Sequence, residues 1–192
     1  MSDRTGTGWD PSDVDLWIRI AAHDFERPEH RLTFTGRLAR DRGWPLATAR
    51  VAIGEYRRFC FLAVTGALPV TPSEEVDEVW HLHLTYSRDY WDAWCGEVLQ
   101  RPLHHDPTEG GPAEQARYRE QYAQTLVRYE ARFGPPDPLF WPGTAQRFGP
   151  APRYRCVDMR RHLVLPRPRL PLWGRPSFLR PGGEPVGGGL PL

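Results

Sequence analysis

Lysine is absent from this chain, and all 25 basic residues are arginine. Codon bias in a GC-rich genome accounts for that before any function does. Against 24 acids the formal net charge is only +1, which argues against strong overall polarity. Cysteine is scarce. Cys60, Cys95 and Cys156 are odd in number and never form C-x-x-C, which fits reduced thiols in a cytoplasm rather than a disulfide framework. No apolar run approaches the ~20 residues that a membrane helix needs, and Met1-Ser2-Asp3-Arg4 does not resemble the start of a signal peptide. A cytoplasmic location is therefore expected. There is no G-x-S-x-G, no Walker loop, no H-E-x-x-H and no internal repeat, so the common hydrolase and nucleotide-binding signatures are missing.

What is present suits one domain with tails, since 192 residues can bury a sizeable core. Residues 1–11 read as a loose lead-in. Ser12, with Asp15 three residues on, predicts the cap of a first helix whose apolar face is Val14, Trp17, Ile18, Ala21 and Phe25, ended by Pro28. A short helix is expected from Phe34 to Arg42, stopped by Gly43. Pro45 opens a longer one carrying Leu46, Ala49, Ile53, Tyr56, Cys60 and Ala63, with Gly66 at its end. Pro112 starts another, lined by Tyr118, Tyr122, Leu126, Tyr129 and Phe133 and closed by Gly134-Pro135-Pro136. Phe140 and Trp141 are expected to fold back as an aromatic latch. Nothing reads as a sheet, so the predicted class is all-α: an irregular bundle of about five helices over residues 12–148.

From Gly149 the composition changes. Residues 149–192 hold nine prolines, seven glycines and eight arginines against Asp158 and Glu184, a net charge of +6. The segment reads as a flexible, partly polyproline-like tail, with one short strand conceivable at 161–165. As a basic arm it would suit a protein partner, nucleic acid or anionic lipid. It carries no RNA-binding consensus and no repeated arginine-glycine motif, so nucleic acid is the weakest of these.

Residues 71–106 hold four of the seven histidines and three of the eight tryptophans. Thr71-Pro72-Ser73-Glu74 reads as a capping box with Thr71 as the N-cap. Val76, Val79, Trp80, His83, Ser87, Tyr90, Trp91, Trp94 and Val98 then recur every three or four residues, which predicts one amphipathic helix of about seven turns. His83 falls within the apolar stripe, whereas His81 points about 200° around the axis. On a regular helix the two cannot grip one ion, so each needs its own explanation.

Val76-Asp77-Glu78-Val79-Trp80-His81-Leu82-His83-Leu84, followed by Tyr90, Cys95 and His105-Asp106-Pro107, resembles the helical domain of the glycine-rich domain-containing protein-like family. The likeness extends upstream to Glu55-Tyr56-Arg57-Arg58-Phe59 and downstream to Tyr129, Phe133-Gly134 and Trp141-Pro142, roughly residues 34–142. It implies a helical fold built around a D-x-x-W-H-x-H motif.

Two functions of different class follow from the same residues. Asp77 and His81 lie one turn apart, close enough for the carboxylate to orient the imidazole. The loop bearing His104, His105 and Asp106 reaches back beside His81 only if nearly straight. Together they would offer three histidine and aspartate ligands with an open fourth position, suited to zinc or another divalent metal in a metal-dependent domain, a hydrolase among the options. The function expected first is an interaction module, in which Trp80, His83, Tyr90, Trp94 and Cys95 form a structural histidine–aromatic cluster, with the metal-dependent domain as its alternative. Cys95 with His105 would make a nucleophile and base, but no oxyanion donors accompany them. A solvent-open pocket at the histidines favours the metal-dependent domain; a sealed, hydrogen-bonded cluster favours the module.

Overall fold

The computed structural model describes residues 9–27 and 29–149, together with Leu163 and Leu165. The chain divides into two units, Met1–Ala151 and Pro152–Leu192, and every helix described belongs to the first. The expectations for the tail, its short strand included, lie outside the described residues apart from Leu163 and Leu165.

The described residues form α-helices α1 (Pro11–Ala22), α2 (Phe34–Arg42), α3 (Leu46–Thr65), α4 (Glu74–Thr85), α5 (Pro112–Phe133) and the one-turn α6 (Thr144–Arg147). Between α4 and α5 lies a π-helix, Asp89–Leu99. The all-α class holds, and there is no strand among the described residues. None of their helices is long and apolar enough to cross a membrane.

Local punctuation sets most boundaries. Gly43 takes φ 65°, the left-handed conformation that a Cβ disfavours, and ends α2 where expected. Pro112 opens α5, and Gly134 closes it with φ 82°. Gly66 follows α3 but stays extended at φ −99°. The start of α1 differs from expectation: Asp10, not Ser12, is the cap, its carboxylate accepting from the Ser12 backbone N–H at 2.9 Å. The helix stops at Ala22, well before Pro28, and its buried residues are Leu16 and Ile20, with Ile18 58% exposed. Trp9, placed in the lead-in by its sequence position, stacks on Phe61 at 4.9 Å between ring centroids.

The helix that organises the bundle is α3, which packs against α1, α2, α4 and α5. Its buried residues run from Ala49 through Tyr56, Phe59, Cys60 and Phe61 to Val64, while Leu46 and Val51 are half exposed. Glu55 lies on the buried part of α3, 3% exposed, so its carboxylate must be bonded. Tyr129 donates to Glu55 Oε2 at 2.6 Å, the Trp141 indole N–H donates to the same oxygen at 2.9 Å, and Arg58 pairs with Oε1. The latch is thus fixed by hydrogen bonding as well as burial, with Phe140 and Trp141 both 2% exposed.

Arginine also finishes the helices. Arg128 donates to Leu62 O at 2.7 Å and Arg101 to Val64 O at 2.7 Å, satisfying last-turn carbonyls of α3. Arg19 does the same for Val98 O at 3.0 Å, near the end of the π-helix. A planar, multiply donating cation at a helix C-terminus complements both the unpaired carbonyls and the dipole.

The predicted seven-turn helix is broken. Tyr86 leaves helical geometry at ψ 57°, α4 ends at Thr85, and the backbone resumes as a π-helix at Asp89. Its cap differs too. Ser73 accepts from the Val76 backbone N–H at 3.2 Å, while Thr71 is tied to α5 through Thr125 Oγ1 at 3.1 Å. The break has a large spatial consequence. Ten residues of continuous helix would separate Trp80 from Tyr90 by about 15 Å. Instead the chain turns at Tyr86, and the Trp80 indole N–H donates to the Tyr90 hydroxyl at 2.8 Å.

Candidate metal centre

That turn brings the loop home. Tyr90, held by Trp80, donates its hydroxyl proton to Leu103 O, which fixes the loop two residues before His105. His105 then packs edge-on against Trp80 at 4.4 Å and sits 4.6 Å from the His81 ring, centroid to centroid. Its Nε2 lies 2.9 Å from Asp77 Oδ1, and His81 Nε2 lies 3.8 Å from Asp77 Oδ2. All three donor atoms lie within 4.8 Å of one another. The nearly straight loop required by a continuous helix is unnecessary, because the helix is not continuous.

The three side chains are accessible. His81 is 49% exposed, Asp77 27% and His105 20%. Asp77 and His105 line a cleft of about 970 Å³ that also takes in Trp80, Tyr118, Arg117 and Arg147. His81 also lines a smaller hollow of about 210 Å³ with Leu38, Arg42 and Glu78. The cleft's two arginines are matched by acids: Arg147 pairs with Glu74 at 2.9 Å and Arg117 with Glu114 at 3.1 Å.

His104 and Asp106 line the cleft but do not join the group of three. His104 instead packs against Trp91 at 5.4 Å. Cys95 is 4% exposed, and burial pushes its thiol up, against a role as nucleophile at neutral pH. It joins neither group of potential metal ligands.

His83 is different in kind. It is fully buried among Phe25, Tyr90 and Trp94, with centroids 4.9, 5.0 and 5.7 Å away. Its Nε2 lies 2.9 Å from Asp89 Oδ2, and its Nδ1 lies 3.0 Å from the Tyr56 hydroxyl. A carboxylate can only accept, so Nε2 carries the proton and Tyr56 donates to Nδ1. His23 completes a second group that sequence reasoning missed, its Nε2 lying 3.2 Å from the same Asp89 oxygen, while Arg27 holds Oδ1 at 2.7 Å. His23 caps α1, Asp89 starts the π-helix, and no motif or spacing connects the two.

Burial depresses the His83 pKa more than the hydrogen bond and charge of Asp89 raise it, so the ring is neutral beside its carboxylate. Burial alone would raise Asp89, but hydrogen bonds from His23 and His83 hold it well below the usual carboxylate range. His105 is shifted the other way. Its hydrogen bond to Asp77 raises it, only partly opposed by burial, so that contact is an ion pair over more of the neutral range. These signs predict opposed pH dependences for the metal-free chain. A depressed group adds stability above its unfolded pKa, so the His83 contribution is lost as pH falls below about 6.5, and that of Asp89 below about 4. A raised group does the reverse: the His105 contribution is full below about 6.5 and is lost as pH climbs through its folded value. Thermal melts from pH 5 to 8 with chelator present should show a shallower acid-side loss in His83→Gln and a steeper one in His105→Gln. The opposite order would reverse the assignment.

No family model, curated protein or solved structure matches the chain.

Proposed function

We propose that this chain binds a divalent metal of the zinc class through Asp77, His81 and His105, at the edge of the cleft beside Trp80. The observation that carries the proposal is the convergence of three donors, from α4 and from a loop 28 residues away, on one accessible point. Tetrahedral zinc at 2.0–2.1 Å per bond needs donors roughly 3.3 Å apart. His105 Nε2 lies 2.9 Å from Asp77 Oδ1 and His81 Nε2 3.8 Å from Oδ2, near that spacing on each side of the carboxylate. Both imidazoles turn Nε2 toward the Asp77 carboxylate, so a metal among them makes Asp77 a ligand rather than a partner behind a ligand. Three protein donors leave a position open toward the cleft, the pattern of catalytic rather than structural zinc. The reaction class such an ion supports is metal-assisted hydrolysis, by polarising a bound carbonyl or phosphoryl group or by lowering the pKa of bound water.

The other function, an interaction module, draws on the sealed network around His83, which packs like core. In that case the partner is a protein or an anionic surface engaged by the basic tail. Buried free thiols at Cys60 and Cys95 suit a reducing, cytoplasmic setting in either case. The likeness to the glycine-rich domain-containing protein-like family supports the fold and the motif.

Calorimetric titration of the untagged, chelator-stripped chain with zinc tests the proposal. Saturable binding at micromolar zinc, with one equivalent lost in His81→Ala, is the expected result. Absence of a saturable site, or binding unchanged in that variant, would leave the cluster as surface polar packing.

A further inference from the structure

We propose a second, more enclosed metal site formed by His23, His83 and Asp89. It would take a divalent ion with two nitrogen donors and one oxygen donor, and it would fasten the end of α1 to α4 and the π-helix. It does not depend on the cleft site. The donors come from three separate elements, and both imidazole Nε2 atoms address the same oxygen, Asp89 Oδ2, at 3.2 and 2.9 Å. All three ligand atoms lie within 4.8 Å of one another.

The backbone supplies an independent observation. His83 and Asp89 are six residues apart, which on a regular α-helix puts them about 120° apart around the axis and about 9 Å apart along it. They meet because α4 breaks at Tyr86 and the chain resumes as an eleven-residue π-helix whose first residue is Asp89. π geometry is rare and concentrates at functional sites. Here the π-helix begins at the residue whose carboxylate meets the buried histidine.

The surroundings suit a ligated ion. His83 is fully buried, and the His23 and Asp89 side chains are each 10% exposed, so the site is largely dry. Phe25 and Trp94 pack against both histidine rings. Metal at Nε2 requires the His83 proton to sit on Nδ1 and be donated to the Tyr56 oxygen, the orienting bond that ligating histidines make behind the metal. The Tyr56 hydroxyl then turns to the Cys60 side chain, with which it already interacts. No net proton leaves His83. Arg27 on the free Asp89 oxygen fixes the carboxylate so that Oδ2 faces inward.

Zinc alone is the probe, applied to the untagged full chain. Wild type is expected to bind two equivalents; His81→Ala should retain one, as should His23→Gln, and the double variant should bind none. His23→Gln is preferred to a change at His83, whose removal would open the core. A second readout needs no change at this site at all. In His81→Ala, nitrogen-15 spectra of the imidazoles should show His83 passing from the Nε2–H to the Nδ1–H tautomer as zinc is added. Retention of the Nε2–H tautomer at saturating zinc, or a residual equivalent in His81→Ala that survives His23→Gln, would overturn the proposal. Loss of the cleft equivalent in His81→Ala reports on the cleft site separately.

Discussion

Replacing His81 by alanine is expected to weaken zinc binding at the cleft at least a hundredfold while leaving the metal-free chain's melting temperature within about 2 °C of wild type. A hundredfold corresponds to about 2.7 kcal/mol of binding free energy, a modest estimate for one of three donors to a divalent ion. The stability side follows from exposure. The His81 side chain is half in solvent, its link to Asp77 is 3.8 Å long, and surface substitutions away from packed features cost within about 0.5 kcal/mol. His105→Ala should lose binding as completely but also cost some stability, because that ring packs on Trp80. Asp77→Asn separates two roles for the carboxylate. A residue behind a ligand costs about ten- to a hundredfold, whereas a ligand placed between two Nε2 atoms should cost more. Affinity should also fall as pH drops through about 6.5, where proton and metal compete for the same nitrogens. Competition titration against a chelator of known affinity, run in parallel with melts of the apo proteins, measures both halves.

Glu55→Ala is expected to have the largest effect on folding, a loss of about 3–5 kcal/mol, the range for removing one partner of a buried charged network. Two buried donors, the Tyr129 hydroxyl and the Trp141 indole, lose their only hydrogen-bond acceptor shown in the structure, and a cavity opens beside α3. The melting temperature should drop by roughly 6–20 °C for a domain of this size. Glu55→Gln keeps an oxygen acceptor in the same volume and should fall between the two. An alanine variant melting within a few degrees of wild type would show that the latch at Phe140 and Trp141 does not depend on this carboxylate.

How far the sequence carried the structure depends on the range of the interaction. Gly43, Pro112 and Gly134 act through their own backbone, so the ends they set for α2 and α5 were legible residue by residue. Thr71 was expected to cap α4, but Ser73 does, while the Thr71 backbone N–H is bonded to Thr125 on α5, 54 residues away. The apolar spacing through Tyr86, Ser87 and Arg88 is compatible with an unbroken helix, and periodicity carries no information about ψ at Tyr86. A π-helix hides for a related reason: Tyr90, Trp94, Cys95, Val98 and Leu99 lie on one side of either helix type. Within the candidate site, Asp77 and His81 are a local pair and were readable. The return of His105 was expected only along a nearly straight loop, since the contacts from Trp80 through Tyr90 to Leu103 that deliver it leave no local signal. His23 and Asp89 left no sequence signal, because what joins them is packing between α1 and the π-helix.

X-ray absorption at the zinc edge, on the untagged chain loaded with one equivalent in a His23→Gln background, tests the cleft site most directly. The expected spectrum has a first shell of nitrogen and oxygen at about 2.0–2.1 Å with the outer-shell scattering of two imidazoles. One imidazole should vanish in the additional His105→Ala variant. A first shell of water oxygens without imidazole scattering, or a spectrum indifferent to His105→Ala, would contradict a metal centre at Asp77, His81 and His105.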